Sequence, residues 1–339
     1  MKPISAAGRD QRLETLRAWL AGPLAGAAFT LAPASADASF RRYFRITLAS
    51  GTRIAMDAPP EREDCGPFVR VAQLMRDAGV HVPEVLAADL DRGFLLLSDL
   101  GSTTYLQALT PGNADALFGD AIAALVTWQR ASRPDVLPTY DRALLQREME
   151  LFPEWYIGRH LGLVLSAAQR ATLLRINGLL ADSALAQPAA FVHRDYMPRN
   201  LMVSAPNPGV LDFQDAVYGP ITYDVASLFR DAFVSWPEER IIDWAVRYWE
   251  HARRAQLPVD ADFGAFYRAL EWMGLQRHLK VLGIFARIQY RDGKSGYLED
   301  TPRFLGYVRA VCGRYAALAP LARLLDELEQ CRPQAGHTL

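Results

Sequence analysis

The densest chemistry in this sequence lies at residues 191–200, FVHRDYMPRN, where a His, two Arg, an Asp and an Asn follow an apolar run. Asp195 and Asn200 are five positions apart, and twelve residues after Asn200 the apolar GVL delivers Asp212 in DFQD. A hairpin between these segments would bring their polar ends together. Hard cations such as Mg²⁺ take oxygen ligands, commonly one or two carboxylates plus substrate phosphates. Asn200 and Asp212 supply such ligands. Asp195 is left over, and it suits orienting an incoming hydroxyl and accepting its proton. That division of labour is the one phosphoryl transfer needs. Pro198 stiffens the loop between the two functional positions. A solvated turn with incidental charges accounts for each residue singly, but not for their joint spacing.

Such a constellation needs elements to hold it. Upstream, AAFTLAP and FRRYFRITLASGTRIAMDAPP read as strands, with ASGT as a turn signal between the halves of the second. PFVRVAQLMRDAGV carries Phe68, Val71, Leu74 and Met75 at helical spacing, with Gly79 near its stop. VPEVLAADLDRGFLLLSDLG offers two further strands around a DRG turn. Residues 104–187 carry helical patterns, PAAFV and GVL interrupt them with short strands, and helical patterns return from Thr222. The fold class expected is α+β: an antiparallel-sheet lobe over 1–99 and a larger helical lobe over 100–339.

Composition narrows the classes. With 339 residues, half of them hydrophobic, the chain can bury a sizeable core. A net charge of −1 gives no global field toward nucleic acid or an anionic membrane, and neither is expected as a partner. Three widely spaced cysteines, Cys65, Cys312 and Cys331, form no disulfide framework and no zinc pattern, which fits a reducing compartment and a cytoplasmic location. No window has the ~18 uninterrupted apolar residues of a membrane span. AWLAGPLAGAAFTLAPASA resembles a signal peptide, but acidic residues precede it and Pro23 and glycines break it. Leu13, Leu16 and Leu20 read instead as the apolar face of a short helix. A monomer is expected.

The motif and its surroundings resemble the aminoglycoside phosphotransferase-like kinases, small-molecule relatives of the protein kinases. ASFRRYFRI, MDAPPERED, GFLLLSDLG, LFPEWYIGRHLG, FVHRDYMPRNLM, VLDFQDAVYGPITYDVASLFRD and QRHLKVLGIFARIQYRDGKSGYLED together resemble the anomeric N-acetylmuramate/N-acetylglucosamine kinases of bacterial peptidoglycan recycling. The resemblance implies a bilobal protein-kinase-like fold. It implies Asp195 as catalytic base, Asn200 and Asp212 as Mg²⁺ ligands, and His193 and Asp224 as support for the loop. It further implies ATP as co-substrate and the C1 hydroxyl of an N-acetylated amino sugar as acceptor. Adenine would meet the backbone at Ser98 and Leu100, with Val203 and Leu211 beneath it.

Several positions depart from the kinase pattern. The phosphate loop has no glycine, although Ala38 and Ser39 are small enough for backbone N–H groups to approach phosphate. In RIAMDAP, Asp57 falls where the strand lysine belongs, and a carboxylate cannot neutralise phosphate. Arg42 or Arg45 could supply that cation; Arg41, Tyr43 and Arg45 share one face of the strand, Arg42 and Phe44 the other. Equally, Asp57 could cap a turn before Pro59 and the arginines could be solvated. Glu61 or Glu63 is the candidate partner for the cation.

At the acceptor end, Phe152, Trp155 and Tyr156 offer rings to a sugar face, with core packing as the plain alternative. Arg277, Lys280, Arg287 and Arg291 recur along one helix face, suited to a sugar carboxylate or simply solvated. Asp224 fits either a helix N-cap or a brace for the catalytic loop. Other readings of the chain are a kinase of another small alcohol, such as an aminoglycoside, homoserine or choline, and a non-catalytic nucleotide-binding scaffold.

Overall fold

The structure, a computed structural model, describes residues 6–35 and 40–331. The chain forms two compact units, Met1–Ala108 with Asn200–Asp215, and Leu109–Arg199 with Ala216–Leu339. It therefore crosses between them after residues 108, 199 and 215.

The first unit begins with helix α1 (Ala6–Leu20), followed by strands β1 (Thr30–Ser35), β2 (Arg42–Leu48) and β3 (Gly51–Asp57). Helix α2 (Gly66–Asp77) precedes β4 (Val85–Asp89) and β5 (Phe94–Ser98). The strands form one antiparallel sheet in the order β1-β2-β3-β5-β4. Two tight turns set its register. Leu48 pairs with Gly51 around Ala49–Ser50, and Gly51 has a φ of 124°. Gly93, at φ 70°, closes β4–β5 where a Cβ would lie 1.8 Å from the Ala58 carbonyl oxygen. Only glycine fits there.

Alternation decides which residues face α1. Phe44 and Ile46 of β2, Ala55 of β3, and Phe94 and Leu96 of β5 cluster with Leu16 and Leu20, and Leu13 packs on them. The N-terminal apolar stripe is thus the inner face of a helix, as its spacing predicts. Each fully buried leucine contributes roughly 1.5–3 kcal/mol. Leu95 and Leu97 are buried on the opposite face, so FLLLS reads as a continuous apolar run because both its sides are covered.

The unit is completed by α3 (Tyr105–Ala108) and a small hairpin, β7 (Leu201–Met202) with β8 (Gly209–Val210). The hairpin is tied to the segment after β5: Val203 N–H donates to Thr103 at 2.9 Å, and Thr104 bridges Met202.

The second unit is mainly helical. Helices α4 (Ala114–Arg130), α5 (Arg142–Met149) and α6 (Ala167–Leu185) lead to the pair β6 (Ala189–Val192) and β9 (Val217–Pro220). After β9 come α7 (Tyr223–Phe229), α8 (Glu238–Arg254), α9 (Phe263–Asp292), α10 (Thr301–Arg314) and α11 (Ala319–Gln330). The 30-residue α9 is the core's axis, with Leu275, Leu279, Leu282 and Phe285 in one cluster with residues of α5, α6, α10 and α11. Between α5 and α6, Phe152–His160 winds as a π-helix, with the Leu161 N–H donating to the Tyr156 carbonyl at 2.9 Å. No helix among the described residues is long and apolar enough to cross a membrane. The α+β class expected from the sequence is the class observed.

Candidate active site

The predicted site residues fall on both units: Asp195 in the helical one, Asn200 and Asp212 in the sheet-bearing one. In the helical unit, the buried β6 carries the chain into His193, which is itself fully buried. Asp224, in the first turn of α7, accepts the backbone N–H groups of His193 at 2.6 Å and Arg194 at 3.0 Å. Thr222 stands at the N-cap, so Asp224 is a brace for the 193–199 loop and not a cap. Burial pushes its carboxyl up to about 7, against the pull of those two N–H groups.

Arg194 is held at φ 77°, the left-handed region that costs a non-glycine residue energy and tends to mark functional sites. Its guanidinium pairs with the buried Glu148 of α5. Glu148 also receives Lys280 at 2.8 Å and the Tyr140 hydroxyl. Burial opposes charge on Glu148, yet Lys280 and Arg194 hold its carboxyl down to about 2. Asp195 follows on this anchored loop with its side chain 39% exposed, its N–H donating to His193 Nδ1 at 3.2 Å. The Tyr196 hydroxyl donates to the Ala121 carbonyl at 2.8 Å and ties the same loop to α4. Asp195 is thus a half-exposed carboxylate on a loop fixed from three helices.

Candidates for the acceptor end divide by burial. Phe152 and Tyr156 stack at 5.5 Å between ring centroids inside the core, and Tyr156 is only 3% exposed. Core packing is what the structure gives Tyr156. Trp155 is half-buried against the same cluster. The basic stripe on α9 is not a solvated face over its first half. Arg277 and Lys280 are buried, Lys280 bound to Glu148 and donating to the Tyr223 hydroxyl at 3.0 Å. Its charge is therefore already matched. Arg287 is half-buried, and burial, then Arg291, lowers its pKa. Arg291 is exposed and paired with Asp292 at 2.7 Å.

In the sheet-bearing unit, the β7–β8 hairpin brings Asn200 and Asp212 side by side. The Leu211 N–H donates to the Asn200 carbonyl at 2.9 Å, and Asn200 Nδ2 lies 3.3 Å from Asp212 Oδ2. Asp212 adopts φ 64°, a second left-handed non-glycine. Gln214 Nε2 donates to Asp212 Oδ1 at 2.9 Å, and Phe213 packs on Phe68 of α2 with centroids 4.8 Å apart. One carboxylate and one amide oxygen suit a hard cation that also binds phosphates; Asn200 would present Oδ1 by turning its amide. No cluster of three or more His, Cys, Asp or Glu that could hold a metal ion exists among the described residues.

The adenine and phosphate candidates lie in the same unit. The Ser98 N–H is taken by the Glu84 carbonyl at 2.9 Å, and its hydroxyl accepts the Glu84 N–H at 2.8 Å. Leu100 packs against Gly209, where a Cβ would lie 2.8 Å from Leu100 Cδ1. Val203 is 40% exposed and Leu211 half-buried. Ser39 lies outside the described residues. Asp57 does not cap a turn: fully buried, it pairs with Arg42 and, at 2.6 Å, with Arg12 of α1. Alternation puts this pair on the α1 face. Arg45, on the other face, grips Asp99 at 2.7 Å and donates to the Gly101 carbonyl at 2.7 Å. Arg41 pairs with Glu63 at 2.8 Å.

Sequence reasoning missed Glu148, Tyr140, Tyr223, Gln214 and Asp231. Glu148, in REME, looks like one more surface helix charge; only its i, i+3 relation to the buried Leu145 hints that it turns inward.

Comparison with known proteins adds family and fold. Residues 30–261 match the model of the phosphotransferase enzyme family. A Pseudomonas putida protein named N-acetylmuramate/N-acetylglucosamine kinase is 56% identical over 330 residues, covering 94% of this chain and 97% of that one. A Neisseria meningitidis protein of the same name is 51% identical over 94% of this chain and 96% of its own. Among solved structures, a choline/ethanolamine kinase family protein from Mesorhizobium loti shares the fold at TM-score 0.61 and 15% identity, covering 92% of this chain and 99% of that chain. A putative aminoglycoside phosphotransferase from Ralstonia eutropha does so at TM-score 0.60 and 15% identity, over 87% and 95%.

Proposed function

This chain belongs to the phosphotransferase enzyme family, and we propose that it moves the γ-phosphoryl group of ATP to the anomeric C1 hydroxyl of N-acetylmuramate or N-acetylglucosamine. The product is the sugar 1-phosphate, in cell-wall recycling. The observation that carries this reading is identity of 51% or more, over most of the chain, to proteins named for these two sugars. The protein is a phosphotransferase enzyme, and ATP is its co-substrate.

Residue roles follow from the site chemistry. Asp195 takes the proton of the C1 hydroxyl as that oxygen bonds to the γ-phosphorus and the bond to the β–γ bridging oxygen breaks, releasing ADP. Asp224 and the Glu148–Arg194 pair hold the loop on which Asp195 sits. Asn200 and Asp212 would hold Mg²⁺, whose charge offsets the charge developing on the phosphate oxygens. Gln214 orients Asp212. Arg45, by gripping Asp99 and the Gly101 carbonyl, fixes the segment around Leu100 that would meet adenine. Ser98 serves that segment through Glu84 and not through its own N–H. Arg42 is committed to Asp57. Trp155, Arg287 and Arg291 are the acceptor-end candidates whose side chains are not enclosed in the core. We further place the enzyme in the cytoplasm as a monomer; buried free thiols at Cys65 and Cys312 suit a reducing compartment.

The test is ADP release over a panel of sugars and small alcohols with Mg²⁺. Turnover of the two N-acetylated sugars, lost when C1 carries a methyl glycoside, is the expected result. Turnover of the methyl glycosides would overturn the C1 assignment. Preference for an aminoglycoside, homoserine or choline would replace the substrate class.

A further inference from the structure

Arg277 lies on α9, is only 3% exposed, and has no hydrogen-bond partner for Nε or Nη1 among the described residues. Its Nη2 reaches the Met197 sulfur at 3.7 Å and lies 3.8 Å from Asp195 Oδ1. Buried donors are paired in the great majority of cases, so a guanidinium left this way calls for a physical reason. The reason is the charge around it. Arg277 lies in the field of three carboxylates from three elements: Asp195 on the 193–199 loop, Asp224 on α7, and Asp231 just beyond α7. Asp224 and Asp231 are buried, and Asp231 Oδ1 also has no hydrogen-bond partner among the described residues. Arg199 faces Asp231, Lys280 faces Asp195, and His278 is neighbour to Arg277 on α9. Burial holds His278 neutral, its pKa lowered to about 3, so it adds no charge at neutral pH.

Like charges this close disfavour one another's ionisation. Burial, with the Asp195 charge adding to it, pushes Asp224 up to about 7, and burial pushes Asp231 up to about 6. Arg277, 3.8 Å from Asp195 Oδ1, is the buried cation set among these carboxylates.

We propose that Arg277 is a positioning residue that acts through Asp195, holding that carboxylate in place for the acceptor hydroxyl. The proposal rests on the reading of Asp195 as the base. It departs from the carboxylate-gripping use that the basic stripe suggests, because Nε and Nη1 are enclosed within the protein.

The test is a double-mutant cycle of R277M and R277K with D195N, read as single-turnover kcat and as KM for ATP on an acceptor the wild type phosphorylates. R277M is expected to lower kcat about 100-fold, and R277K about 10-fold, with KM for ATP within twofold of wild type. In the D195N background either change is expected to cost less than twofold, because the group it serves is gone. Added guanidinium is expected to restore part of the R277M rate, but none of the R277M/D195N rate. If R277M does not fold, R277K carries the same cycle. Equal losses in both backgrounds, or a rise in KM for ATP that matches the fall in kcat, would overturn the role of Arg277 and leave Asp195 as base. A D195N enzyme as fast as wild type would instead overturn the base assignment, and the role of Arg277 with it.

Discussion

At the scale of single residues, a carboxylate that accepts a proton can be separated from one that holds a metal. D195N keeps the shape of Asp195 and removes its basicity. It should cut kcat by about 10²–10⁴-fold and leave ATP binding near wild type; steady-state kinetics with nucleotide titration checks this, and near-normal turnover would refute it. D212A removes the one carboxylate of the Asn200–Asp212 pair. It should lower activity at least as far while raising the Mg²⁺ concentration for half-maximal rate, and chelating divalent cations should abolish wild-type turnover; an unchanged Mg²⁺ dependence would refute the ligand role. The side-by-side placing of Asn200 and Asp212 was legible because a short-range spacing fixes it, across one hairpin. Arg277 and Glu148 were not. Their partners come from loops 82 and 46 positions away along the chain, as Arg277–Asp195 and Glu148–Arg194. Helical spacing says that Arg277 and Lys280 share a face, but not whether that face meets water. Asp57 misled for a related reason. Register gives its place on the strand, while the side of the sheet it faces depends on α1, which supplies Arg12.

At the scale of elements, the sheet was readable from turn residues and alternation, since each hairpin is a local event. The π-helix was not, because Phe152 and Tyr156 at i, i+4 suit an ordinary helix equally well. The segment before it is packed closely on α9. Gly283 of α9 lies against Leu151, where a Cβ would come within 2.3 Å of the Leu151 carbonyl carbon. Backbone cannot yield as a side-chain tip can. G283A should therefore destabilise the protein by about 1–3 kcal/mol or more through overpacking, despite alanine's higher helix propensity. A urea midpoint equal to or above wild type would show that α9 and the 151–160 segment can separate without cost. The segment after β5 offers a second test. Arg45 holds it through Asp99 and the Gly101 carbonyl, so R45A should raise KM for ATP several-fold with a smaller change in kcat. A KM that does not move would remove Arg45 from the nucleotide site.

At the scale of the whole molecule, the buried charges that organise the catalytic loop should shape stability against pH from opposite sides. The Glu148 carboxyl is held down to about 2 in the fold, against an ordinary value of 4.5. Its contribution is therefore complete above about 4.5 and is lost as pH falls toward 2, amounting to about 3 kcal/mol over that interval. Asp224 and Asp231 run the other way. Burial raises them to about 7 and about 6, from 3.8. Protons bind them more tightly in the fold, so the stability they confer is complete below 3.8 and is lost as pH rises through 6 and 7. Above about 3.8 the two aspartates outweigh Glu148, so on these three groups the wild type should be most stable near pH 4. E148Q leaves Arg194 and Lys280 buried without a counter-charge and should cost about 3–5 kcal/mol at pH 6. That cost should shrink as pH falls from about 4.5 toward 2, because the unfolded wild-type carboxyl takes up its proton there while the folded one keeps its charge until about 2. D231N should flatten part of the decline between about pH 4 and 6 and leave the acid limb in place. Urea unfolding from pH 3 to 8 reads all three curves. An E148Q deficit independent of pH would mean that Glu148 is not the ion that holds Arg194 and Lys280 in the fold.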